Sequence, residues 1–168
     1  MELFKAIEKR RSVREFSSQL VPREDLKNII AAARLAPSGY NSQPWKFIVL
    51  DNKEDISWFK DHEKMSWLAT APALVIVIVD SSVTQYWLED GSATITTLML
   101  AATALGYGSC WVEGQVLPYE DEVRDRFAIP QDWKIMAVVP IGKTPKWPDE
   151  KEKRTLSDVM SFNTFQTK

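Results

Sequence analysis

The stretch that most restricts what this chain can fold into is the unbroken apolar run Ala73-Leu74-Val75-Ile76-Val77-Ile78-Val79. Successive side chains of a strand point to opposite faces, so a strand made of these residues is apolar on both. Only a central position in a sheet, with elements packed above and below, satisfies it. The segment from Asp90 to Leu105 adds a second constraint. Ile95, Leu98, Met99, Ala102 and Leu105 form one helical stripe, and Leu100, Ala101 and Ala104 carry it around the cylinder. A helix apolar nearly all round is buried. This one is too short, and too rich in Thr and Gly at its start, to span a membrane.

Around these two elements the remaining segments fall into place. A first helix is expected over about residues 2–9, with Leu3, Phe4 and Ile7 on one face. Pro22 suits the start of a second helix, whose stripe is Leu26, Ile29, Ile30 and Ala33, ending near Ala36 because Pro37 follows. A polar loop, Pro37 to Pro44, leads into a strand from Lys46 to Leu50. A helical segment is expected around 54–69, a short strand beginning at Trp111-Val112, a helix from Pro118 to Phe127 and a strand from Ile135 to Ile141. With 168 residues, 45% of them hydrophobic, a single domain has enough apolar material for a real core. The tail, 144–168, carries Leu156, Val159, Met160, Phe162 and Phe165, which lack partners of their own in a domain this small. Packing onto a second copy would cover them.

Charge and rare residues narrow the function. A formal net charge of −2 argues against bulk binding of nucleic acid or an acidic membrane. One cysteine, Cys110, allows no internal disulfide and fits a reducing cytoplasm. Charges interrupt every apolar run near the N-terminus, so none resembles a secretory signal. With one histidine, His62, and one cysteine, no zinc cluster of His and Cys can be assembled. His62, in the charged run Lys60-Asp61-His62-Glu63-Lys64, is expected on a solvated helix face, and no Gly-x-Ser-x-Gly elbow exists to recruit it. Gly106-Tyr107-Gly108-Ser109-Cys110-Trp111 is an incomplete dinucleotide fingerprint, with Trp111 where the third glycine belongs. An enzyme so poor in catalytic side chains leaves the hard chemistry to a cofactor.

The densest local charge is Arg10-Arg11-Ser12-Val13-Arg14-Glu15-Phe16. In extended form Arg10, Ser12 and Arg14 share one face, with the two guanidiniums about 13 Å apart at roughly 3.3 Å per residue. Guanidiniums bind phosphate oxygens bidentately and keep their charge. The same pattern also suits a solvated basic face.

Three stretches together resemble signatures of the FMN-dependent nitroreductase family: residues 10–16, Ala36-Pro37-Ser38-Gly39-Tyr40-Asn41-Ser42-Gln43-Pro44-Trp45, and Ala104-Leu105-Gly106-Tyr107-Gly108-Ser109-Cys110-Trp111. The resemblance implies an α+β fold, a mixed, antiparallel-rich sheet flanked by helices, in an intertwined homodimer with FMN at each end of the interface. It assigns Arg10 and Ser12 to the phosphate and ribityl chain and Arg14 to flavin N1 and O2. Arg11 would point away towards a carboxylate or make a backbone contact. Ser38, Asn41 and Gln43 would reach the cofactor from the opposite protomer; on its own that loop is a turn stabilised by Asn and Ser. Glu113 and Gly114 resemble the place where backbone N–H groups meet flavin N5 and O4. Arg154 matches a further phosphate-binding cation, with Lys143 and Lys153 as weaker candidates.

The implied reaction is ping-pong hydride transfer from NAD(P)H through flavin N5 to nitroaromatic, quinone or flavin acceptors. It needs no side-chain nucleophile and no metal. Only Asp80 to Glu89 fills the gap where larger relatives carry a helical roof, so a shallow, open site edged by Tyr86 or Trp87 is expected. A flavin store or sensor without efficient turnover is the alternative reading.

Overall fold

The computed structural model describes residues 1–166, so the last two residues of the expected tail, 167 and 168, lie outside the described residues. The chain forms helices α1 (Leu3–Lys9) and α2 (Arg23–Ala33), strand β1 (Trp45–Leu50), the short helix α3 (Lys53–Ser57) and strand β2 (Ala73–Asp80). The long helix α4 (Trp87–Ala104) follows, then β3 (Gly108–Ser109), α5 (Glu120–Arg126), β4 (Trp133–Gly142) and a short tail helix α6 (Leu156–Val159). The strands make one antiparallel sheet in the order β1-β2-β4-β3.

The apolar run occupies the centre, as its two-faced pattern requires. Val75, Val77 and Val79 face α2 and α4 in one core. Leu74, Ile76 and Ile78 face Phe59, Met65 and Leu68 in the other. In α4, Ile95, Leu98, Met99 and Ala102 are buried against the first face, while Leu105 is exposed just past the helix end.

Four expectations need correction. The helical segment around 54–69 is α3 followed by 3₁₀ turns at Trp58–Asp61 and Glu63–Thr70. A 3₁₀ turn aligns side chains three apart, as for the buried Met65 and Leu68, and the extended His62 that joins the two turns keeps the same spacing from Phe59 to Met65. His62 is therefore buried, 7% exposed, and not on a solvated face. Its Nδ1 lies 3.2 Å from the Trp58 carbonyl and its Nε2 2.9 Å from the Glu122 carboxylate. The strand expected at Trp111-Val112 begins earlier, at Gly108–Ser109, because Ser109 pairs on both sides, with Ile141 and with Ser12. Val112 keeps only an isolated bridge to Val138. Helix α2 stops at Ala33, three residues short, and the chain leaves it through a tight turn closed by Leu35 N–H to Ala32 and Ala36 N–H to Ala33.

Candidate functional site

The basic stretch is extended, and one contact explains where it lies. Ser12 bridges Ser109 in parallel, and the Val13 N–H donates to the Ser109 carbonyl at 2.9 Å. Val13 is fully buried against Gly108, where an added Cβ would stand 2.6 Å from its Cγ2. The glycine leaves a seat for Val13, and two of the three sequence signatures meet there. Pinning Val13 inward turns the alternate residues outward, as strand geometry dictates.

Arg10, Ser12 and Arg14 accordingly line one groove of about 370 Å³, together with Lys151 and Lys153 and the acidic residues Asp149 and Glu150. The buried Cys110 thiol lies close by. Burial pushes its pKa up, and Arg14, Ser12 and Arg10 act in the opposite direction. The strap that carries the lysines is hooked to the end of α1. Trp147 Nε1 donates to the Lys9 carbonyl at 2.7 Å, and the Lys9 ammonium lies over the indole, 5.0 Å from the ring centroid.

The other site residues are distributed as follows. Arg11, expected to point away, also lines this groove, as does Glu8; it donates to the Glu8 and Arg10 carbonyls and stands 3.6 Å from Glu150, so carbonyls and a carboxylate occupy its guanidinium. Arg154 lines a different hollow, formed by the tail, so the groove holds Lys151 and Lys153 where Arg154 was expected. Lys143 is engaged elsewhere, donating to the Gly106 carbonyl and lying over the Tyr107 ring. Lys151 was legible only as part of a charged run; its alternation with Lys153 is the one signal that could have paired them.

The loop with Ser38, Asn41 and Gln43 does not reach the groove of its own chain. Its Gly39, Tyr40 and Ser42, and none of those three, line a separate hollow of about 440 Å³ with residues 81–86, where Tyr40 and Tyr86 form an exposed aromatic pair. Trp87 packs inward, so Tyr86 alone of the two edges this hollow. Within the loop, Ser38 Oγ accepts from Gln43 N–H at 3.1 Å, and Gln43 Nε2 donates to the Asn41 carbonyl. Helix α4 holds the loop through Asp90, which accepts from Gly39 N–H and from the Ser42 hydroxyl. The only sign of this in the sequence is that Asp90, beside Glu89, falls in the first turn of a largely apolar helix.

Glu113 and Gly114 are exposed beyond the Val112 bridge. The Glu113 carbonyl accepts from Val116 and Leu117, while neither Glu113 N–H nor Gly114 N–H meets an acceptor among the described residues. Space around Gly114 is open. The arrangement offers a cationic groove suited to a phosphate, free backbone donors on one turn, and a polar loop that does not line the groove.

Comparison with known proteins identifies the family. A sequence model of the nitroreductase family matches residues 7–95 and 60–143. An Archaeoglobus fulgidus protein, provisionally named NADH dehydrogenase/NAD(P)H nitroreductase, is 37% identical over 161 residues, covering 90% of this chain and 88% of its own. An iodotyrosine deiodinase from Thermotoga neapolitana is 26% identical over 195 residues, covering 97% and 98%. Among solved structures, an FMN-dependent nitroreductase from Clostridium difficile superposes with a TM-score of 0.81 at 30% identity, covering 96% of this chain and 99% of that one. By sequence match and by fold, this chain belongs to the nitroreductase family and is an oxidoreductase.

Proposed function

We propose that the protein binds FMN and passes hydride from NAD(P)H to nitroaromatic, quinone or flavin acceptors by a ping-pong route. The observation that carries this reading is the convergence of Arg10, Ser12 and Arg14 on one groove with Lys151 and Lys153. Guanidinium and ammonium donors around a hydroxyl fit a phosphate monoester and a polyol chain. Bound there, the flavin would supply the two-electron carrier that side chains cannot provide.

The chain's own residues then have distinct tasks. Arg10 and Ser12, with Lys151 and Lys153, would hold the phosphate and the ribityl chain. Arg14 would face N1 and O2, where a fixed cation stabilises the charge of the reduced ring. The free N–H groups of Glu113 and Gly114 would donate to O4 and N5. Arg11, tied to Glu150, would brace the strap over the groove. Arg154 stays in this reading only as a cation that a second copy could bring near the phosphate.

Ser38, Asn41 and Gln43 would come from a second copy, because none of them lines the groove of their own chain. Two apolar faces support such a homodimer. Leu3, Phe4 and Ile7 on α1 are exposed, and so are Leu156, Val159, Met160, Phe162 and Phe165 in the tail. The hollow edged by Tyr40 and Tyr86 would accept planar rings, which favour offset contacts with aromatic faces. The deiodinase relative adds iodotyrosine to the acceptors worth testing.

The visible spectrum of the freshly purified protein is the direct test. A flavin spectrum with heat-released FMN, and steady-state reduction of nitrofurazone or menadione by NADH or NADPH, are the expected results. A protein that stays colourless after reconstitution with FMN ends the proposal. Bound FMN without turnover would favour the store or sensor.

A further inference from the structure

The loop between Ser38 and Gln43 is held in an unfavourable shape. Tyr40, Asn41 and Gln43 all have left-handed backbones, at φ 52°, 57° and 48°. Residues with a Cβ avoid this region, bulky ones most, and persist there only where the surroundings hold them. The bonds inside the loop, Gln43 N–H to Ser38 Oγ and Gln43 Nε2 to the Asn41 carbonyl, cannot fix it relative to the rest of the protein.

One side chain outside the loop does. Asp90 is 4% exposed and sits in the first turn of α4, where the helix dipole favours a carboxylate. Its Oδ1 accepts from Gly39 N–H at 2.8 Å and its Oδ2 from the Ser42 hydroxyl at 3.2 Å. One carboxylate therefore clamps both ends of the Tyr40–Asn41 arch. The approach depends on Gly39, because a Cβ there would stand 2.5 Å from Tyr86 Cδ2.

We infer that Asp90 is a positioning residue: its carboxylate holds the loop in the left-handed form that presents Asn41 and Gln43, and thereby sets cofactor affinity without touching the cofactor. The inference rests on the flavin reading above for what the loop engages. The clamp itself rests on the two hydrogen bonds alone.

The test compares wild type with Asp90→Ala, Asp90→Asn and Ser42→Ala. Amide hydrogen exchange at residues 39–43 is measured in the apoprotein. The FMN dissociation constant is measured by quenching of flavin fluorescence, and melting temperature is recorded with and without FMN. Asp90→Ala should speed exchange at Gly39 and weaken FMN binding, each by roughly tenfold or more, as expected for losing two bonds to a charged group. Asp90→Asn and Ser42→Ala should fall between, and they carry the comparison should Asp90→Ala fail to fold. A variant that is merely less stable keeps the wild-type rise in melting temperature on adding FMN, because that rise depends on the affinity of the folded state. Here the rise should shrink. Unchanged exchange, or an unchanged FMN constant in variants that fold, overturns the inference. Accelerated exchange alongside a wild type that takes up no FMN overturns the flavin reading and leaves the clamp standing.

Discussion

The groove at residues 10–14 and the C-terminal tail are written in similar material, short stretches that mix charges with apolar side chains. They end in opposite conditions. Val13 is completely buried because Gly108, almost a hundred positions later, leaves room for it. In the tail, Leu156, Val159, Met160, Phe162 and Phe165 remain 49–87% exposed. An apolar residue in a charged stretch thus says that something must cover it, and nothing about where the cover comes from. For the groove the cover lies in the same chain. For the tail, a second copy is the proposed answer.

The contrast can be broken at its strongest point. Gly108→Val should cost at least about 1–3 kcal/mol from overpacking and displace Val13, taking the groove with it. Thermal unfolding should show a clear drop and FMN binding should vanish; a variant that melts and binds like wild type would show that Val13 needs no seat. Deleting residues 155–168 attacks the other side. Sedimentation should show a dimer in the full chain and a smaller species after deletion, whereas identical sedimentation would leave the tail without a partner. Arg14→Ala tests the groove more gently. It should weaken FMN binding by about 1.5–3 kcal/mol, the range for hydrogen bonds to charged groups, and lower turnover. Titration with FMN checks it, and a variant that keeps both flavin and rate removes Arg14 from its role.

An ion pair outside the 10–14 groove supplies the smallest effect. Arg23 hydrogen-bonds Asp51 and holds its carboxyl below the usual carboxylate range. The folded value lies under the unfolded one, so this stabilisation is full above the ordinary carboxylate pKa of about 3.9 and fades as pH falls through the folded value. The difference in melting temperature between wild type and Arg23→Ala should therefore be small at neutral pH and disappear in acid. The Arg23 side chain is largely open to water, which screens the pair.

The fold was most legible where one pattern ran long enough to exclude others. Strand β2 and helix α4 were recognisable because two-faced apolarity and a full helical stripe each allow one environment. The charged run around His62 points to a solvated face, and it masks the spacing of three by which Phe59, His62, Met65 and Leu68 go inward. Strand β3 was displaced because its pairing is decided by Ser12 and Ile141, both far away in sequence. In the site, the residue types of the 10–14 stretch and their alternation were visible. Lys153 was a candidate only through the family resemblance, and the part played by Lys151 was not visible.

The sequence by itself determined the central strand, the buried helix, the family and the face on which Arg10, Ser12 and Arg14 lie, since each follows from a local period or a contiguous motif. Only the tertiary structure decided that Gly108 seats Val13, that lysines 151 and 153 and not Arg154 close the groove, and that Asp90 clamps the loop. Those pairings join segments some 50 to 140 residues apart. Their geometry depends on how the sheet and α4 pack, which no local pattern encodes.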